Sequence, residues 1–442
     1  MLPLRVRAPR QLIAGSPFLW RTSQILGTDK LAIRFNASEA SPRASALSAK
    51  DLFEASQLAQ WSGLCYQPAH LIESAAKAEG LNLVAHGRDM YTSWIVADGH
   101  FTPLSQGGDS TGPSLNPATA GSKDEGGKAM SLGVESTNKS NIVTSAGLHS
   151  PQPSHLKPGT EFIGRTCRVV LLRGVQWNAP ETSMSNMWRV LASAWPVPFA
   201  QNMSHERGGH LVCHAGIADV SLELFAQLAP YLRRNGSAAS SGPLIFGGHS
   251  LGGSLAKLIW VLSILHGHRL PHQLACHNFG SPQVLSHNDG GGSSRVMQFL
   301  GASPGSCKNW IQEHDPVPRA MMASDPYFHA FFQNSALKGL LQARSWLLGT
   351  GSLVSSERFL FENVGDVYLI KGGCEILQVR QEDEVDVLHM ALSEAVSQPH
   401  KTIQYWLDHH HGSYAHDLHI AATVATQRCA RADEQVMAGV KL

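Results

Sequence analysis

Apolar residues change their spacing several times along the chain. Between 51 and 80 they recur at helical intervals, as Leu52, Phe53, Ala55, Leu58, Ala59 and Trp61, then Leu71, Ile72 and Ala75. The run Ser93-Trp94-Ile95-Val96-Ala97 predicts a strand. Residues 105–160 are rich in Gly, Ser, Thr, Asn and Pro and poor in apolar side chains, which predicts a disordered insertion or long loop. A short apolar run at 167–172 then predicts a buried strand. Helical spacing returns at 220–232, where Pro230 marks a strained or ending helix. Leu244-Ile245-Phe246 predicts another buried strand, and 251–265 the helix after it. Further strands are expected at 274–279 and 309–311, and a hairpin over 359–370 turning near Gly365 and Asp366. Strands alternating with helices predict an α/β fold with a mostly parallel central sheet and helices on both faces.

Composition narrows the classes. Of 442 residues, 43% are hydrophobic and 16% charged, which fits a globular protein with a large core. A net charge of +1 gives no electrostatic case for nucleic acid. The charge is uneven, however. Residues 1–50 hold eight Lys and Arg against Asp29 and Glu39, with six serines. That Arg-rich, Ser-rich, acid-poor stretch predicts an organelle transit peptide. An ordinary flexible basic terminus is the competing reading. No apolar run is long enough to span a membrane, so peripheral contact is expected. The seven cysteines are scattered and contain no Cys-x-x-Cys pair, which argues against a disulfide framework and a structural zinc site. No cofactor or metal is expected.

The chemistry centres on Gly-x-Ser-x-Gly. The pattern occurs three times, at 108–112, 248–252 and 301–305. A nucleophile elbow needs a strand before the serine and a helix after it. Only Ser250 has that context. Ser110 lies in the low-complexity stretch, and Ser303 precedes Pro304, which lacks the N–H that would follow the nucleophile. At Ser250 the first N–H of the next helix, that of Leu251, can donate to a tetrahedral oxyanion. The competing reading is a Gly-rich structural turn. A serine nucleophile needs a base and an orienting acid, in the chain order Ser, acid, His. Asp315, Asp325 and Asp366 are candidates for the acid, and His409, His410 and His411 for the base.

These residues resemble the class 3 lipase family, α/β-hydrolase lipases of fungi and plants. Arg173-Gly174 is similar to its Arg-Gly-Thr segment, and His214-Ala215-Gly216-Ile217 to its His-x-Gly-aromatic element. Gly248-His249-Ser250-Leu251-Gly252-Gly253-Ser254-Leu255-Ala256 is similar to its elbow. Asn278-Phe279-Gly280-Ser281-Pro282 resembles the following strand end. His314-Asp315-Pro316-Val317-Pro318-Arg319 resembles the acid segment, which implies Asp315. Asp408-His409 with Tyr414 resembles the terminal motif of plant and algal plastid lipases, which implies His409. Where the family has Thr or Ser, this chain has Val175, so the second oxyanion donor is its backbone N–H alone.

Composition gives the transit peptide (1–50) and the insertion (105–160), and the resemblance implies an N-terminal helix-and-strand segment of the lipase domain (51–104) and a lipase core (161–442). The segment after Val175 occupies the family's lid position. There Met187, Trp188, Leu191 and Trp195 suit a flap over an apolar substrate, with a buried core helix as the competing reading. The expected activity is hydrolysis of fatty-acyl esters of glycerolipids, galactolipid or phospholipid, at the first glycerol position. Contact with a membrane or lipid-droplet surface is expected, as is a plastid address, with mitochondrion or cytosol as alternatives. A catalytically weak or silent lipase-like binding or signalling protein, a triacylglycerol lipase and a soluble esterase are the rival functions.

Overall fold

The computed structural model describes residues 47–89, 91–101, 166–175, 190, 196–200, 211–233, 242–288, 292–320, 361–372, 375–384 and 407–439. The low-complexity stretch 105–160, the expected transit peptide up to residue 46 and the expected lid residues Met187, Trp188, Leu191 and Trp195 lie outside them. So do Ser110 and Asp325.

Eight strands form the main sheet, in the order β1-β2-β3-β6-β7-β9-β10-β11. They are β1 (Asn82–Arg88), β2 (Ser93–His100), β3 (Thr166–Leu172), β6 (Leu244–His249), β7 (Leu274–Phe279), β9 (Cys307–Gln312), β10 (Asp366–Lys371) and β11 (Glu375–Val379). β3, β6, β7, β9 and β10 run parallel. β1, β2 and β11 pair antiparallel at the two edges. A small antiparallel sheet joins β4 (Pro196–Phe199), β5 (Leu211–His214) and β8 (Leu285–His287).

The central strands read as continuous apolar runs because both faces are covered. Along β3, Val170 and Leu172 enter one core with helices α3 (Ala215–Leu232) and α4 (Leu251–Leu265). Val169 and Leu171 face the opposite core with α1 (Ala49–Ser62), α2 (Ile72–Ala78) and a C-terminal helix. With α5 (Gly292–Leu300) beside β8, that last helix is α6, His411–Gly439. Pro230 sits inside the last turn of α3, where its missing N–H costs least of the helix beyond it. Ser48 begins α1 with a capping box to Asp51.

The hairpin expected over 359–370 is displaced. Asp366 opens β10, a strand parallel to β9, and the antiparallel partner is β11. Gly365 holds a φ of 95° directly before the strand. It is a kink that brings the chain into the sheet, so the turn lies one strand later, after Lys371.

Between α1 and the sheet lies a buried polar group. Lys308 Nζ bonds Asp51 Oδ1 at 2.9 Å, and His277 Nε2 lies 3.5 Å from Glu54 Oε1. Trp310 Nε1–H donates to His277 Nδ1 at 3.4 Å, so neutral His277 carries its proton on Nε2, toward Glu54. Burial pushes the Glu54 carboxyl up from 4.5 to about 7, against the attraction of Lys308. The folded state therefore binds more protons than the unfolded state between those values, and stability falls as pH rises through that window. Glu54→Gln should raise the thermal unfolding midpoint at pH 8, and the gain should vanish by pH 4.

Candidate active site

The site lies at the carboxyl edge of the parallel strands. β6 ends at His249, and Ser250 turns the chain into α4 with φ 58° and ψ −135°. A non-glycine residue at positive φ is strained, and such strain persists only when its surroundings enforce it. Here they do. Ser250 N–H donates to Phe279 O at 2.9 Å. The glycines around it allow the close packing, since a Cβ on Gly252 would collide with Leu172 O and one on Gly248 with Gly252 O. Ser303, by contrast, lies in the turn from α5 into β9, with helix before and strand after.

Asp315 follows the carboxyl end of β9 and is fully buried. Asp366 begins β10 and so lies at the other edge of the sheet. His409 precedes α6. The three side chains meet. His409 Nε2 stands 3.1 Å from Ser250 Oγ, and its Nδ1 lies 3.0 and 2.9 Å from the two oxygens of Asp315. Asp315 can only accept, so Nδ1 carries the proton and Nε2 is left to accept from the serine.

Asp315 takes two more bonds. Tyr414 O–H donates to Oδ2 at 2.5 Å and Val317 N–H to Oδ1 at 2.8 Å. Gly280, at φ 57°, lets this happen; a Cβ there would stand 2.5 Å from Asp315 Oδ2. The two loops also cross-pair through their neighbours, with His314 Nδ1 3.2 Å from Asp408 Oδ2. Of the histidine triplet, His411 stacks on Tyr66 with ring centroids 4.7 Å apart, and burial pushes it down to about 4.

Leu251 N–H opens α4, where the first-turn amides have no intrahelical acceptor and the helix dipole favours negative charge. Gly174 borders the nucleophile so closely that a Cβ on it would lie 2.6 Å from Ser250 Cβ. Val175 follows, with its side chain against the core of α3 and α4. Val175 carries no side-chain hydroxyl, and its one hydrogen-bond donor is the backbone N–H. Among the described residues, no cluster of three or more His, Cys, Asp or Glu could hold a metal ion.

Sequence reasoning missed two partners of this site. One is the His314–Asp408 pair. The other is Tyr66, whose hydroxyl accepts from Gly174 N–H at 3.2 Å and stands 2.7 Å from His249 Nδ1. No spacing in the sequence points from residue 66 to residue 249.

A strand, a strained serine, a helix, and a histidine and acid from later loops define an α/β-hydrolase. Residues 172–324 match the family model for lipase (class 3). The chain is similar to the chloroplastic phospholipase A1 PLIP2 of Arabidopsis thaliana, 24% identical over 163 residues, which is 36% of this chain and 21% of the relative. The chain thus matches about a fifth of that relative's length. Among solved structures it is similar to the Yarrowia lipolytica LIP2 lipase, at 12% identity and a TM-score of 0.39 over 75% of this chain and 84% of that one. It is similar also to a Rhizomucor miehei lipase in its propeptide complex, at 16% identity and a TM-score of 0.37 over 76% and 74% of the two chains.

Tyr414→Phe removes one donor from a buried carboxylate and leaves the ring in place. It should lower stability by about 1–3 kcal/mol, read by denaturant unfolding. A cost near zero would mean that Tyr414 does not anchor Asp315.

Proposed function

We propose that this chain is a serine acyl hydrolase that cleaves fatty-acyl esters of glycerolipids, with Ser250 as nucleophile, His409 as base and Asp315 as orienting acid. The observation that carries the reading is the hydrogen-bonded series Ser250–His409–Asp315 at the carboxyl edge of the sheet. His409 Nε2 takes the Ser250 proton as Oγ attacks the ester carbonyl carbon. Asp315 holds the ring and stabilises the imidazolium. The N–H groups of Leu251 and Val175 receive the oxyanion. His409 then protonates the departing alkoxide, which leaves an acyl ester on Ser250. A water molecule, deprotonated by His409, attacks that ester and releases the fatty acid.

The substrate is proposed as a galactolipid or phospholipid cleaved at the first glycerol position. The name of the Arabidopsis relative, a phospholipase A1, supports the phospholipid reading, and the galactolipid reading rests on the resemblance of the motifs. Met187, Trp188, Leu191 and Trp195 are proposed as an apolar flap over the acyl chain, in contact with a membrane or droplet surface. Among the described residues, no helix is long and apolar enough to cross a membrane. The basic stretch 1–50 and the relative's chloroplastic name support a plastid address.

A fluorophosphonate should label the wild type at Ser250 and leave Ser250→Ala unlabelled. Equal labelling of both proteins, or of neither, would reject the reading. Mixed galactolipid and phospholipid vesicles should release fatty acid and lysolipid with the second acyl chain retained. Release from soluble short-chain esters alone would favour an esterase instead. Fusing residues 1–50 to a fluorescent protein should direct it to plastids, and a cytosolic signal would reject that address.

A further inference from the structure

Four separate parts of the chain converge on one half-buried hydrogen-bond relay. Tyr66 ends a short 3-10 turn, Gly63–Tyr66, that follows α1. Its hydroxyl accepts from Gly174 N–H at 3.2 Å and lies 2.7 Å from His249 Nδ1. The other nitrogen of that ring, Nε2, lies 2.6 Å from the backbone carbonyl oxygen of His409. A carbonyl only accepts, so His249 Nε2 carries a proton. Burial, with His409 close by, keeps His249 well below the usual histidine range and therefore neutral. Its Nδ1 is then an acceptor, and Tyr66 O–H donates to it. Every polar atom in the relay thus has a fixed role, which gives the series one direction: Gly174 N–H to Tyr66, Tyr66 to His249, and His249 to the His409 carbonyl.

The two ends of the relay flank the reacting serine. At one end, Gly174 sits against Ser250, and its amide is tied to Tyr66. At the other end is the backbone of the residue whose ring bonds Ser250 Oγ at 3.1 Å. The ring centroids of His249 and His409 are 4.8 Å apart, so a neutral His249 also spares the imidazolium a second positive charge. Tyr66 is itself held from the far side by its stack on His411.

We infer that Tyr66 is a positioning residue that fixes the oxyanion-side loop and the His409 loop relative to each other through His249. The inference rests on the proposed Ser250 chemistry. Tyr66, like His409, lies outside residues 172–324, the segment that matches the family model.

The test compares the full chain as wild type, Tyr66→Phe, His249→Leu and the double variant. Two readouts are used: the rate at which a fluorophosphonate labels Ser250, and kcat and KM on a soluble p-nitrophenyl ester. Tyr66→Phe removes one oxygen and keeps the stack on His411, and thermal unfolding checks that it remains folded. It should label at Ser250 about tenfold to a hundredfold more slowly, the scale that a small misplacement of reacting groups produces. Its kcat should fall by a similar factor with KM nearly unchanged. The double variant should be no slower than His249→Leu alone, because one relay has been broken twice. Wild-type labelling and kcat in Tyr66→Phe, a change in KM alone, or losses that multiply in the double variant would each overturn the inference. A wild type that is not labelled at all overturns the Ser250 reading, and this inference with it.

Discussion

Ser250 holds its backbone at φ 58°, a region that side chains other than glycine rarely occupy. Much of the surrounding structure serves to hold that turn. The glycines at 248 and 252 allow backbones to approach within distances that a Cβ would forbid. Phe279 accepts the Ser250 N–H, and β6 and α4 are buried on every side. The strain lifts Oγ above the sheet edge and leaves the first amides of α4 facing the same space. The arrangement is set before any partner arrives, so its cost is met by the core and not by the substrate.

The partners are delivered by the topology. In a parallel sheet, the loops after successive strands all open at one edge. Asp315 follows β9 there, and the α6 segment returns His409 to the same edge across α1. A series of hydrogen bonds then fixes each group. Tyr414 and Val317 hold Asp315, Asp315 holds the His409 ring, and His249 holds the His409 backbone. These bonds are short and buried or half-buried, so few other geometries keep all of them.

The central strands and α4 were legible in the sequence because burial on both faces produces unbroken apolar runs, as in Leu244-Ile245-Phe246. The pairing of Ser250 with Asp315 and His409 was legible only partly from the residues. The local pattern excluded Ser110 and Ser303 but left three acids and three histidines open, and the resemblance narrowed them. What stayed hidden has physical reasons. The edge strand β1 alternates exposed and half-buried residues and carries little apolar signal. Helix α6 buries small residues, Ala421 and Ala422, between Tyr414 and its polar surface, so its periodicity is faint. The extra strand pairing of β10 reads like a hairpin because Gly365 marks a sharp turn in either arrangement. Tyr66 carries no local pattern, since its role exists only once residues 66, 174, 249 and 409 meet in space.

The most direct test of this account is a crystal structure of the protein after reaction with a phosphonate ester. The account predicts a covalent bond from Ser250 Oγ to phosphorus. It also predicts a phosphonyl oxygen within hydrogen-bond distance of the Leu251 and Val175 amides, with His409 Nε2 facing the leaving-group side. A phosphonate on another residue, or an oxygen turned away from both amides, would contradict it.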